Sequence, residues 1–182
     1  YAVINVPNGV QDPNIFVDDD NSVYLYEESS NKWPIHGVEL DTANYYIPKG
    51  EQKDLFKLQP EQHGWERFGQ DHKSDIKPFI EGPWMVKHND TYYLEYGAPG
   101  TQWNVYADGV YTSKSPLGPF TYAPYNPISY KPGGFLKGSG HGSTVQDNNG
   151  NYWHYSTMAI SVNFKFERRL GMYPAGFEDN GQ

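Results

Sequence analysis

What most constrains the fold of this chain is one short plan used three times: an apolar strand-like run, a polar turn and a second strand. "NIFVDDDNSVYLYEES" passes from residues 15–17 through Asp19-Asp20-Asn21-Ser22 to residues 23–26. "PWMVKHNDTYYLEYGA" turns at Asn89-Asp90, and "GSTVQDNNGNYWHYSTM" turns at Asn148-Asn149-Gly150. β-Branched and aromatic residues suit a pleated, half-buried surface, while Asn, Asp and Gly accept the backbone angles of a tight turn. Helical periodicity is scarce beside this pattern, so an all-β chain is predicted.

The segments between the hairpins carry loop chemistry and further strands. "QWNVYADGVYTSKSPLGPFTYAP" holds another strand pair around the proline-glycine turn "SPLGPF". Residues 49–78, from "KGEQKDLFK" to "DHKSDIK", are polar and charged and are expected to form an inserted loop or one short helix. No linker divides the chain, so residues 1–182 are taken as a single domain or the C-terminal part of one. The hairpins recur at roughly 60 to 70 residues, longer than a simple four-stranded blade but compatible with blades carrying loops. Each opens on a polar element: Asp12-Pro13, Glu81-Gly82-Pro83 and Gly140-His141-Gly142. In a propeller the innermost strands surround one channel, so Asp12, Glu81 and His141 would meet in a single pocket. A β-sandwich makes no such demand.

Composition narrows the function. The net charge of −8 argues against nucleic acid as a partner. No run of about 18 apolar residues marks a membrane span. The absence of cysteine removes disulfides and thiolate metal sites and suits an exported (secreted or periplasmic) bacterial protein or a cytosolic one. The first residue is Tyr1, which fits a processed, trimmed or incomplete polypeptide. Sixteen tyrosines, nine phenylalanines and five tryptophans are expected mostly in the core, with a few left to stack on sugar rings. Trp84 and Trp103 are the candidates for stacking, and core packing is the alternative for each.

Glu81 stands between Ile80 and the bulky Gly82-Pro83-Trp84. Apolar walls raise a glutamic acid above its ordinary pKa of about 4.3, which is what a proton donor near neutral pH requires. The alternative is a carboxylate at a strand edge. Asp12 precedes Pro13, an ordinary turn start, and could also supply a like charge to Glu81. Asp18, Asp19 and Asp20 invite a calcium reading, but their place at a hairpin tip favours a solvated turn. His141 lies between glycines that permit close backbone approach. It is read as a channel residue or as an ordinary hydrogen-bonded histidine. No second histidine at ligand spacing suggests zinc.

Taken together and in order, "QDPNIFVDDDNSVYLY", "IEGPWMVKHNDTYYLEY", "SPLGPF" and "GSGHGSTVQDNNGNYWHY" resemble glycoside hydrolase family 43. The resemblance runs from about residue 11 to the end. It implies a five-bladed β-propeller, here a partial one of about three to four blades. It also implies an inverting hydrolase of arabinose-, xylose- or galactose-containing glycans, with an oligosaccharide or polysaccharide as substrate. Glu81 then matches the family's general acid, and Asp12 the aspartate that tunes its pKa. His141 matches a channel histidine that contacts a calcium ion or water. In "FERRLGMYPAGFEDNG", Arg168 or Arg169 matches a sugar-facing arginine. The blade bearing the general base has no counterpart before Asp12, so a missing N-terminal segment is expected as a partner. The rival readings are a non-catalytic carbohydrate-binding propeller and a fragment inactive on its own.

Overall fold

The computed structural model describes residues 10–160 and 166–182. All three expected hairpins form. β1 (Asn14–Val17) pairs antiparallel with β2 (Val23–Glu27). Their turn is closed by the Asp18 amide on the Ser22 carbonyl and the Asn21 amide on the Asp18 carbonyl, both 2.9 Å. The chain passes through β3 (Ser29–Ser30) to β4 (Ile35–Asp41), which pairs with β2, with β5 (Ile47–Pro48) and with β6 (Lys53–Phe56).

The second unit is β7 (Ile80–His88), β8 (Thr91–Ala98) and β9 (Ala107–Ser113), with β10 (Thr121–Tyr122) and β11 (Ser129–Tyr130) both on β9. The third is β12 (Lys137–Gln146), β13 (Tyr152–Ala159) and β14 (Arg168–Ala175). One parallel pair, Ser139 with Ala107, joins β12 to β9, and β3 caps β7 through Ser29 opposite Glu81. The units therefore curl round their innermost strands, β1, β7 and β12.

Residues 49–78 depart from expectation. Residues 53–56 are neither loop nor helix but an outer strand of the first unit. Burial decides this: Phe56 stacks on Tyr111 with ring centroids 4.0 Å apart and planes 10° from parallel. Two short 3₁₀ turns follow, Gly64–Glu66 and Gln70–His72. The acidic tip also differs. Asp19 and Asp20 are exposed, but Asp18 is buried, bonded to Lys87 Nζ at 2.5 Å and the Tyr92 hydroxyl at 2.6 Å. Against the effect of burial, these two partners hold its carboxyl below the usual range.

The main core lies between the first two units. Tyr24, Tyr26, Ile35 and Phe56 from one meet Met85, Leu94, Tyr96 and Tyr111 from the other. Each large side chain so buried contributes about 1.5–3 kcal/mol. Buried phenols keep partners, as Tyr26 does with the Pro116 carbonyl at 2.7 Å. The opposite face of the first sheet is apolar as well: Val23, Leu25, Val38 and Leu40 form a second cluster. Beside it, Ile15 and Val17 are 54% and 58% exposed.

Candidate active site

A left-handed residue stands just before β1, near the start of β7 and in the middle of β12. Asp12, just before β1, has φ +48°, Gly82 in β7 has φ +56°, and His141 in β12 has φ +54°. For aspartate and histidine this conformation is costly, and such residues concentrate where a side chain must be aimed. Pairing is also irregular there. The β7–β8 register shifts between Glu81 and Trp84, and the β12–β13 register shifts between Gly140 and Ser143.

The result is a cluster. A ligand atom of each of Asp12, Glu81 and His141 lies within 4.8 Å of the other two. The Gly82 amide donates to Asp12 Oδ2 at 3.3 Å, and the same oxygen is 3.9 Å from His141 Nδ1. The imidazole lies over Gly82, where an added Cβ would stand 2.8 Å from the ring. Glycine is thus required there by both space and φ.

Glu81 is half-buried at the floor. Its Oε1 accepts from the Tyr106 hydroxyl at 2.7 Å and its Oε2 from Ser29 Oγ at 3.3 Å. Burial pushes its carboxyl above the ordinary range, and the charge of Asp12 adds to this. Tyr106, His141 and Ser29 pull the other way without cancelling it. Such a group holds a proton that ordinary glutamates have lost, and can deliver it to a basic leaving oxygen.

Behind this cluster lies a second, buried network. Asp108 Oδ1 accepts from the Gly142 amide at 2.9 Å, and its Oδ2 meets His154 Nε2 at 3.0 Å. His154 Nδ1 lies 2.9 Å from Thr144 Oγ1, and Glu95 accepts from the Thr144 amide at 3.1 Å. This network fixes β12 just after His141, at Gly142 and Thr144. Burial would lower the pKa of His154, but the hydrogen bond and charge of Asp108 outweigh it and hold the ring protonated above its usual range.

The remaining sequence-predicted residues lie around the rim. Arg168 and Arg169 share a cleft of about 370 Å³ with His141, Thr157 and Leu170. Arg168 Nη1 donates to Thr101 Oγ1 at 2.7 Å, in the β8–β9 connection. Arg169 is turned to Glu167 at 3.2 Å. Trp84 gives its indole N–H to the Thr144 carbonyl at 2.8 Å, tying β7 to β12. Trp103 packs edge-on against Phe68 with centroids 5.6 Å apart.

The sequence model of glycosyl hydrolases family 43 matches residues 3–182. The chain belongs to glycosyl hydrolase family 43. This family-43 chain is similar to the crystal structure of a thermostable family-43 glycoside hydrolase, with TM-score 0.79 and 22% identity over 97% of the chain. It is also similar to an endo-1,4-beta-xylanase from Bacteroides thetaiotaomicron, with TM-score 0.76 and 23% identity over 98% of the chain. These likenesses show the fold: the curled units are those of a partial family-43 propeller. A beta-D-galactofuranosidase of Aspergillus niger is 32% identical over 114 residues, 62% of the chain. The family-43 chain spans 58% and 60% of the two structures and 27% of the fungal protein.

Tyr106 and Ser29, which hold Glu81, were not legible in the sequence. Neither stands in a motif, and they reach Glu81 across 25 and 52 residues. Trp33, on the loop after β3, is 38% exposed.

Proposed function

We propose that the chain supplies the acid-bearing part of an inverting glycoside hydrolase acting on arabinose-, xylose- or galactose-containing glycans. The observation that carries this reading is the convergence of Asp12, Glu81 and His141, with Glu81 held by Tyr106 and its carboxyl raised by burial. Glu81 is the general acid. It protonates the glycosidic oxygen as the bond to the anomeric carbon breaks. Asp12 keeps that proton on Glu81 by like charge until the leaving group takes it. An oxygen of Asp12 lies within 4.8 Å of one of Glu81. An inverting acid and base stand about 6.5–9.5 Å apart to admit water, so Asp12 serves the acid rather than acting as base.

Arg168, anchored on Thr101, is the better placed of the two arginines to hold sugar hydroxyls, since Arg169 is paired with Glu167. Trp33, Trp84 and Trp103 are the candidate stacking surfaces. The names of the relatives support all three sugars: an endo-1,4-beta-xylanase, an exo-1,5-alpha-L-arabinanase and a beta-D-galactofuranosidase are among them. For calcium, the cluster offers two carboxylates and one imidazole. A calcium ion takes about 6–8 oxygen ligands, water among them, so these three side chains alone do not complete its shell. The relatives are longer than this chain, and the apolar face of Ile15 and Val17 is where a further blade, with the general base, would pack.

The test is Glu81→Gln in the hydrolytically active protein. Turnover of glycosides with poor leaving groups should fall by about 10²–10⁴-fold, and much less for activated aryl glycosides that need no proton. Equal turnover by both proteins on unactivated substrates would remove Glu81 from the acid role.

A further inference from the structure

A second convergence of ligating groups lies in the first unit, outside the proposed catalytic cluster. Glu27, at the end of β2, stands opposite His36 in β4. In a regular strand Glu28 would point away from Glu27, but it takes φ +151°, which L side chains rarely adopt. Both carboxylates consequently reach the same atom. His36 Nδ1 lies 3.5 Å from Glu27 Oε1 and 3.5 Å from Glu28 Oε2. Both glutamates are 2% exposed, and among the described residues neither pairs with a lysine or arginine.

The ring orientation is informative. His36 Nε2 lies 3.1 Å from Asp54 Oδ1, close enough for that carboxylate to steady the ring. Nδ1 faces two buried carboxylates and has no hydrogen-bond partner. Two buried carboxylates aimed at one nitrogen call for a positive charge between them, a proton or a metal ion. A proton fits poorly, because 3.5 Å exceeds hydrogen-bond length to either oxygen. A metal fits: bonds of about 2.1 Å to nitrogen and oxygen set tetrahedral ligands about 3.4 Å apart. A histidine whose other nitrogen donates to a carboxylate is the usual support of a metal ligand.

We propose that Glu27, Glu28 and His36 bind one divalent cation of the zinc class, with Asp54 orienting the imidazole. The site shares no residue with the Asp12–Glu81–His141 cluster and does not depend on the catalytic reading. Its cation ties β2 to β4 immediately before Ser29, which bonds Glu81.

The purified chain, stripped with chelator, is titrated with Zn²⁺ by calorimetry and with Co²⁺ by visible absorption. One equivalent is expected, with the intense bands of tetrahedral cobalt, and both signals should persist in His141→Ala. His36→Ala and the isosteric Glu28→Gln should each weaken zinc binding at least tenfold. Asp54→Asn, at a side chain 77% exposed and so safe for folding, should weaken it by about 10–100-fold. Absence of a bound equivalent in the unmodified folded chain overturns the proposal. So does unchanged affinity in Asp54→Asn and Glu28→Gln, or loss of the site in His141→Ala alone.

Discussion

Tyr106 stands 25 residues from Glu81 in the chain and 2.7 Å from it in space. Its hydroxyl favours the ionised form of Glu81, so it limits how far burial raises the acid. Tyr106→Phe should therefore move the alkaline limb of the pH–rate profile upward, measured in the active protein on an unactivated glycoside. No movement would detach Tyr106 from the acid. Gly82 allows a sharper test. Gly82→Ala adds a Cβ 2.8 Å from the His141 ring at a residue with φ +56°. It should cost about 1–3 kcal/mol, read as a lower denaturation midpoint, and displace the imidazole.

At the scale of elements, β12 is held by buried polar groups. Asp108 anchors both the Gly142 amide and His154. Asp108→Ala leaves His154 Nε2 and the Gly142 amide buried without their acceptor and should cost about 3–5 kcal/mol in denaturant unfolding. Asp108→Asn retains an acceptor for the amide and should cost less. A matching loss in both variants would show that the charge pair, not the amide contact, holds the strand. The three hairpins were legible in sequence because turn residues and alternation are local signals. β6 was not, since "KDLF" contains only two apolar residues and becomes a strand through Phe56 packing on Tyr111. Asp12 and Glu81 were legible through motifs at strand starts, and His141 through a glycine-flanked motif that lies mid-strand, where the β12 register shifts. The Glu27–Glu28–His36 convergence was not, because cross-strand register and one unusual φ bring it together.

Across the whole molecule, two buried glutamates make a defined contribution to the response to pH. Burial pushes Glu66 and Glu95 from an ordinary 4.5 up to about 7. Their folded pKa values lie above the unfolded ones, so the folded state binds extra protons. Their stabilising contribution is complete below the ordinary value and is lost as pH rises through about 7. Each is on the order of 3 kcal/mol. Asp18 and Asp147, held below their ordinary range, act in the opposite direction in more acidic solution. Melting temperature should accordingly fall between about pH 5 and pH 8, and Glu66→Gln should flatten that slope. An unchanged slope would mean Glu66 is ionised throughout. The apolar face of the first sheet has a different outcome for the bench. Ile15→Lys with Val17→Lys should leave the melting curve in place while abolishing scattering from associated species at high concentration. Without those changes, sulfate or phosphate should precipitate the polypeptide early, and a mild detergent should keep it dispersed through storage and concentration.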